Sequence, residues 1–598
     1  MSDYQAPVTE MRFVMDELAD FRALSTEVPA FAEASPEMAD AILEEAAKFS
    51  REVLAPLNRV GDREGSRLTP EGVVTPAGWK AAYQAFCDAG WNGIAASVDF
   101  GGHGQPSSLA VAVKEMVCAA NISFSLAPLL TTGAVDALEI CASDALKKVY
   151  LEKMVTGQWT GTMNLTEPQA GSDLALIRSR AEPQADGTYR VFGQKIFITY
   201  GDHDLTENIV HLVLARLPDA PPGVKGISMF LVPKFLVNQD GSLGARNDVQ
   251  VVSIEHKLGI HASPTCVMSY GDKGGAVGYL LGQANRGLEY MFVMMNEARL
   301  GVGLQGVALG ERAYQQALAY ARERKQGRDA LTGEALVSID HHPDVRRMLM
   351  LMRSQVEACR ALAYVTCGWM DRAHGHTDEA ARQRYLALAE FMIPIVKGGS
   401  TEMSIEAASL GVQVHGGMGF IEETGAAQHW RDSRITTIYE GTTGIQANDL
   451  IFRKILRDQG AVALYVFEEI RKTAEALTAS PQKDLAVIGR RLGAALSVWA
   501  KATEWVLTNA QTGMPGVLAG ATPFLQLAVV VCGGWQMGCA ALAAQRNLEA
   551  GRGNADFYKA KITSARFYAD QRLPMAQAHG ETLLSSGDSQ WMLENVGV

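Results

Sequence analysis

Three segments of the 598-residue chain carry residue types unlike ordinary core. In MNLTEPQAGSDLALIRSRAE, Met163, Thr166, Glu167, Gly171, Ser172 and Asp173 stand close together. Hydroxyls and glycine-rich backbone of this kind offer hydrogen bonds to a ring or a phosphate. In GQKIFITYG, strand periodicity sets Phe197 and Thr199 on one face, an aromatic beside a hydroxyl that suits a flat ligand with a polar rim. The third segment runs from Gln413 to Gln446 and contains QVHGGMG and IYEGTTGIQ. There Glu440 adjoins Gly441, a residue that lets backbone approach a ligand. Taken singly, each segment has a plain reading: a capped surface loop, a core strand, a turn with a solvated glutamate.

Other chemistries find less support. His341-His342 lacks a second ligand pair at metal spacing and reads as exposed histidines at a helix N-cap. His415 reads as a packed or cofactor-side residue. GxSxG is absent, no GxGxxG follows a strand, and the eight cysteines form no CxxC pair.

The elements that must position these segments follow from periodicity. Residues 36–160 are helical in pattern, with Met38, Ile42, Ala46 and Phe49 forming one apolar face over Glu37 to Asn58, and a second helix over Glu139 to Thr156. SVDFGGHGQPSS between them reads as a turn. Near residue 162 the period changes. Asp186-Gly187 marks a hairpin before TYRVFGQKIFITYG, and the β-rich runs NIVHLVLARL, GISMFLVP and VQVVSIE follow. Helical periodicity returns near 286, where Val345, Leu349, Met352 and Val356 form a buried stripe and the methionine-rich runs read as core filling. Tyr465 to Leu477 and Asp556 to Arg572 are further helices. One β block between helical blocks excludes Rossmann alternation. The fold class is therefore α+β and multidomain. It comprises an N-terminal extension (1–35), an N-terminal helical domain (36–161), a central β barrel or sandwich (162–285), a helical bundle carrying Glu440 (286–457) and an additional helical domain (458–598).

Composition sets outer limits. With 47% hydrophobic and 20% charged residues the chain is globular, and a net charge of -12 argues against non-specific nucleic-acid binding, which needs a cationic surface. Scattered cysteines and a mixed, acidic start without a signal-peptide pattern predict a cytoplasmic protein. Residues 505–545 contain no Asp, Glu, Lys or Arg, and Pro523 to Gln545 is long enough to span a bilayer. Gln526, Gln536 and Gly533-Gly534 within it predict a buried helix of a bundle, without membrane contact.

Together and in this order, the segments closely resemble the signatures of the acyl-CoA dehydrogenase flavoprotein family. The resemblance covers about residues 80–455 and rests on MNLTEPQAGSD, GQKIFITYG, KLGIHASPT (Lys257 to Thr265), NEARLG, QVHGGMG and IYEGTTGIQ. It implies a four-helix bundle for 286–457, FAD as cofactor, and α,β-dehydrogenation of an acyl-CoA thioester to the trans-2-enoyl-CoA. That reaction needs a base against an α-proton in a dry site, fixed donors at the thioester oxygen, and a hydride acceptor that side chains cannot provide. By resemblance Glu440 would be the base, its N–H and a flavin hydroxyl would bind the thioester oxygen, and flavin N5 would take the β-hydride. Some members place the base on a helix immediately before an Arg; that position here is Ala298, and Glu297 lies one residue, roughly 100°, away on a helix.

The same resemblance carries over Met163, Leu165, Thr166, Ser172, Phe197, Ile198 and Thr199 as flavin contacts, with Phe replacing the family's Trp. Arg324, Gln413, Gly416 and Gly417 would meet the cofactor of a neighbouring subunit, and Thr442 and Gly444 the adenine side. Ser172, Asn296, Arg299 and Gly441 would lie along the acyl-CoA. The phenylalanine that usually follows the Arg is missing here, where the chain reads Arg324-Lys325-Gln326-Gly327. The implied partners are acyl-CoA, an electron-transfer flavoprotein and a second copy of the chain. The terminal additions are similar to a subgroup acting on 3-(methylthio)propanoyl-CoA; a medium- or long-chain fatty acyl-CoA in β-oxidation is the other substrate reading. An acyl-CoA oxidase and a non-catalytic flavin-binding relative are the alternatives.

Overall fold

The structure, a computed structural model, describes residues 4–238 and 240–588. Two compact units divide the chain: one holds residues 48–105 and 116–301, the other the residues up to 47, residues 106–115 and those from 302 onward.

The division at residues 47 and 48 falls inside helix Pro36–Phe49, which runs through a π-turn at Ser50–Leu54 into helix Ala55–Glu64 of the first unit. Pro56 is the cause: it has no N–H to offer the Glu52 carbonyl, and the ladder re-forms one residue longer, with Ala55 N–H donating to Ser50 O. The buried stripe of Pro36–Phe49 is Ala39, Leu43 and Ala46, offset by one residue from the expected Met38-Ile42 face, which is half-covered. The expected helix from 139 to 156 is two helices, Ile122–Cys141 and Asp144–Val155. Ser143 breaks it by accepting the Leu146 N–H as an N-cap at 3.4 Å.

The β domain contains β1 (Trp159–Asn164), β2 (Arg180–Pro183), β3 (Tyr189–Thr199), β4 (Asn208–Arg216), β5 (Ile227–Pro233), β6 (Val249–Ile254), β7 (Thr265–Tyr270) and β8 (Ala276–Leu281). The order is β6-β7-β3-β8-β5-β4-β1. Strand β2 pairs with both β3 and β4, so β3, β8, β5, β4 and β2 close into a barrel, with β1 lying parallel to β4 outside the ring. Asp186-Gly187 makes the β2–β3 hairpin, Gly187 at φ +84° and the Asp186 carboxylate accepting the Thr188 N–H. Strands β4 and β5 are buried on both faces, which explains their continuous apolar runs. Val213, Ala215, Phe230 and Val232 fill the barrel, while Val210, Leu212, Leu214, Met229 and Leu231 pack with Leu130, Ala134, Met291 and Met294 of the flanking helices. Each valine, leucine, methionine or phenylalanine among them contributes about 1.5–3 kcal/mol of burial.

The second unit is helical: α1 (Val8–Glu17), α2 (Gly287–Glu323, from Val302), α3 (Pro343–Gly375), α4 (Glu379–His415), α5 (Thr443–Asp449), α6 (Ala461–Thr478), α7 (Lys483–Asn509), α8 (Ala521–Glu549), α9 (Ala555–Gln571) and α10 (Met575–Ser585). Leu349, Met352 and Val356 of α3 pack with Val307, Ala313, Met403 and Ala407, as the stripe predicts; Val345 at its outer end is half-buried. Gly306 lets α2 and α4 touch, since a Cβ there would stand 2.3 Å from Ser400 O. Residues 106–115 belong here because Ser107 and Ser108 N–H groups donate to Asp371, and Glu115 receives Arg360 through two nitrogens. Helix α8, the membrane-length segment, is the bundle's central helix. Its most apolar window is 83% buried, so the expected bundle helix is what forms. The extension is part of this core: Phe13 of α1 meets Phe557 edge-on at 5.5 Å, and Lys561 of α9 bridges Glu10 (2.7 Å) and Glu357 (3.0 Å).

Candidate active site

The barrel supplies one set of predicted residues. The loop after β1 is organised by Glu167, which accepts from Lys195 Nζ (2.8 Å), Arg178 N (2.7 Å) and Ser179 N (3.0 Å). Burial alone would raise this carboxyl; Lys195 and these N–H donors reverse that and hold it at about 2. Lys195 also donates to Leu165 O at 3.0 Å, and Ile196 N–H to Thr166 O at 2.9 Å, so the backbone around Thr166 is fixed against β3. From inside, β1 is braced by a chain of hydrogen bonds: Tyr270 O–H to Asn164 (2.8 Å), Asn164 Nδ2 to Thr162 (2.8 Å), and one between Thr162 Oγ1 and His211 Nδ1 (2.7 Å). Asp173 accepts the Ala175 N–H and caps a short helical turn, leaving Gly171 and Ser172 exposed.

Strand β3 does not alternate regularly. Its pairing with β7 jumps from Lys195↔Met268 to Ile198↔Cys266, setting Ile196 and Phe197 against Val267 alone. This β-bulge holds Phe197 at φ +60°, a conformation that costs a bulky residue about 1–3 kcal/mol. Its consequence is a change of face. Ile198 joins Val191 in the barrel core, and Phe197 is turned outward with 59% of its surface exposed, beside half-buried Thr199. Phe197 and Thr199 share a face as predicted, but by way of the bulge. Ile198 and Met163 are buried, so what they present is backbone. Arg299 is buried and Asn296 half-buried on the helix that begins at Gly287; Glu297 follows Asn296 on the same helix.

The helical unit supplies the rest. Glu440 (φ +55°) and Gly441 (φ +86°) are consecutive left-handed residues, a sharp turn entering α5. Thr442 Oγ1 caps α5 by accepting the Ile445 N–H at 3.2 Å. Lys397 Nζ, buried within α4, donates to Gly441 O (2.7 Å) and Thr436 O (2.8 Å). Gln446 Nε2, also buried, donates to Glu440 O (3.3 Å) and Gly441 O (3.2 Å), and the Tyr439 hydroxyl donates to Gln305 of α2. Sequence reasoning did not single out Lys397, Gln446, Gln305 or the Lys195–Glu167 pair. One signal was present: Lys195 and Lys397 are lone charges inside otherwise apolar runs.

At the end of α4, Gly416 (φ +60°) and Gly417 have no heavy atom within 4 Å of where a Cβ would stand, and Gln413 beside them is exposed. His415 is packed: it stacks on Tyr320 at 4.4 Å and bonds Gly411 O through Nδ1 at 2.7 Å. Arg324 is exposed at the base of a hairpin running to Ser338. His341 and His342 pin that hairpin through Asp329 (3.0 Å) and Gln326 O (2.7 Å). His342 stands at the expected N-cap position of α3, and neither imidazole caps it. No cluster of three or more His, Cys, Asp or Glu suited to a metal occurs among the described residues. In the barrel unit, an aromatic ring turned outward by a bulge with hydroxyls and peptide groups beside it fits the face and edge of a flat ring. In the helical unit, two glycines with open space above them leave room for close approach of a ligand to the backbone.

Family models cover almost the whole chain. The acyl-CoA dehydrogenase N-terminal domain matches residues 36–158, the middle domain 162–272 and the C-terminal domain 285–455, and an acetyl-CoA dehydrogenase C-terminal-like domain matches 466–593. The chain belongs to the acyl-CoA dehydrogenase family, oxidoreductases that use FAD to dehydrogenate acyl-CoA thioesters. Among curated relatives, it is 50% identical to the 3-methylmercaptopropionyl-CoA dehydrogenase of Ruegeria pomeroyi over 591 residues, 98% of this chain and 99% of that one. It is 37% identical to a butyryl-CoA dehydrogenase of Syntrophomonas wolfei over 90% of this chain and 89% of that one. A Bacillus anthracis acyl-CoA dehydrogenase solved with FAD shares the fold at a TM-score of 0.74 and 20% identity, over 94% of this chain and 90% of that one.

Proposed function

We propose that this enzyme dehydrogenates a short acyl-CoA, 3-(methylthio)propanoyl-CoA foremost, with Glu440 as the base. The observation that carries the role of Glu440 is its place in a left-handed turn whose carbonyls are bound from within the protein by Lys397 and Gln446. A carboxylate on a turn held in this way keeps its position when the α-proton is transferred. The Glu440 N–H is placed to donate to the thioester oxygen, where negative charge develops as that proton leaves, and a hydroxyl of the bound cofactor would be the second donor. FAD, when bound, supplies the acceptor for the hydride from the β-carbon. Phe197 would pack on the ring, Thr166, Thr199 and the backbone at Met163, Leu165 and Ile198 would bond its edge, and Ser172 would lie toward the pyrophosphate or CoA. Asn296, Arg299 and Gly441 would each meet acyl-CoA, and Thr442 and Gly444 the adenine side of the cofactor.

The substrate reading rests on the 50% identity to the Ruegeria enzyme. The chain acts as a homodimer in which Arg324, Gln413, Gly416 and Gly417 serve the partner's cofactor. The exposed Met418, Phe420 and Ile421 beside those glycines support such an interface, Phe420 being 87% exposed. An electron-transfer flavoprotein takes the electrons, and the enzyme works in the cytoplasm, in the β-oxidation type of acyl-CoA breakdown.

The test is flavin bleaching across a panel of acyl-CoAs. 3-(Methylthio)propanoyl-CoA is expected to reduce the enzyme fastest, and preference for a long straight chain would refute the substrate reading. Glu440→Gln is expected to keep FAD and bind acyl-CoA while bleaching slows by at least about 100-fold.

A further inference from the structure

We propose that Lys397 and Gln446 are positioning residues for this reaction: by holding the two carbonyls of the Glu440-Gly441 turn, they set the direction in which the Glu440 side chain leaves the backbone. The inference rests on the reading of Glu440 as the base.

Lys397 is the one charged residue between Glu390 and Glu402, within FMIPIVKGGS of α4. Its ammonium is fully buried and is directed to Gly441 O at 2.7 Å and Thr436 O at 2.8 Å, so it ties both ends of the segment that carries the base. Gln446 is equally buried, and its Nε2 meets Glu440 O and Gly441 O at 3.3 and 3.2 Å. That amide is in close contact with the turn: a Cβ on Gly441 would stand 2.7 Å from Gln446 Nε2. A trans peptide plane carries its C=O and the following N–H in opposite directions. Holding Glu440 O therefore fixes ψ of Glu440 and the Gly441 N–H. Holding Gly441 O fixes ψ of Gly441 and the Thr442 N–H. Tyr439, bonded to Gln305, anchors the residue before.

These bonds converge on the turn and not on the helix bodies. The N-terminus of α5 already has its cap in Thr442, so a cap is not what Gln446 supplies. Without the clamp, a glutamate at φ +55° has no reason to stay in the left-handed region, because a right-handed or extended conformation suits its Cβ better.

Lys397→Met and Gln446→Met remove the donors at similar side-chain volume. Each FAD-loaded variant is mixed rapidly with acyl-CoA to read the single-turnover rate of flavin bleaching. FAD content and the affinity for the enoyl-CoA product, read from the flavin spectrum, are measured alongside. The expected result is a rate about 100-fold lower with enoyl-CoA affinity and FAD content near wild type. Loaded variants that bleach at the wild-type rate overturn the proposal, and so does a loss of FAD or thermal stability unaccompanied by a slower rate. If Lys397→Met does not fold, Gln446→Met decides. Glu440→Gln is run in parallel. Wild-type bleaching by that variant removes the base assignment itself, whereas a slow Glu440→Gln beside a fast Lys397→Met removes only the clamp.

Discussion

Lys195 Nζ lies 2.8 Å from Glu167 Oε1, and neither side chain is appreciably open to solvent. The pair joins the loop after β1 to the strand whose bulge turns Phe197 outward. Two full charges in the interior are tolerated because Gln169 Nε2 and the Arg178 and Ser179 N–H groups also donate to the carboxylate, and the ammonium has a second acceptor in Leu165 O.

Lys195→Met should therefore be far more harmful than loss of one hydrogen bond. It strands the Glu167 carboxylate, and about 3–5 kcal/mol of stability is expected to go with it. Adding Glu167→Gln should recover part of that loss. Urea denaturation of the two variants checks the order, and FAD affinity should fall in the single variant as the Thr166 backbone loosens.

Phe197→Gly should separate stability from cofactor binding. Glycine relieves the left-handed backbone, and an already exposed ring leaves little burial to lose. The fold is expected to keep its stability or gain up to about 1 kcal/mol, while FAD binds more weakly without the ring. Phe197→Trp should bind FAD like the wild type. Titration of apoprotein with FAD, beside a thermal melt, reads both quantities.

Acid should weaken the fold by a defined route. Burial pushes the imidazoles of His203, His211 and His429 down to about 3. The unfolded chain takes up these protons below about 6.5, the native protein only near 3, so the unfolded state binds more protons in between. Stability present above pH 6.5 is lost as the pH falls, by up to about 1.4 kcal/mol per unit for each histidine. Urea midpoints at pH 7 and pH 5 should show the drop, and His211→Gln should make it shallower.

The N-terminal extension should be needed by the last helices. Phe13→Ala opens space beside Phe557 and Tyr558 and is expected to cost about 3 kcal/mol or more. Lys561→Met should be as harmful, since it removes the cation from Glu10, whose carboxyl burial already pushes upward. Limited proteolysis should then cut α9 and α10 in either variant before the barrel strands are touched.

Local rules account for much of what the sequence alone determined. Short β-rich runs and an Asp-Gly turn announced the β block, period-3.6 stripes the helices, and six motifs in order the family and its cofactor, because each of these is written in neighbouring residues. What tertiary structure decided depends on residues far apart in the chain. A strand read alone alternates evenly; only pairing with β7 shows that two residues of β3 face one partner and that Phe197, not Ile198, turns outward. Lys397 and Gly441 are 44 residues apart, so nothing local says that a lone lysine in an apolar helix ends on that carbonyl. Likewise Glu10 and Lys561, 551 positions apart, show the extension to be core only once the chain has folded back. Periodicity tells which face of an element is apolar. Which buried charge meets which acceptor follows from packing, where a stranded charge is too costly to persist.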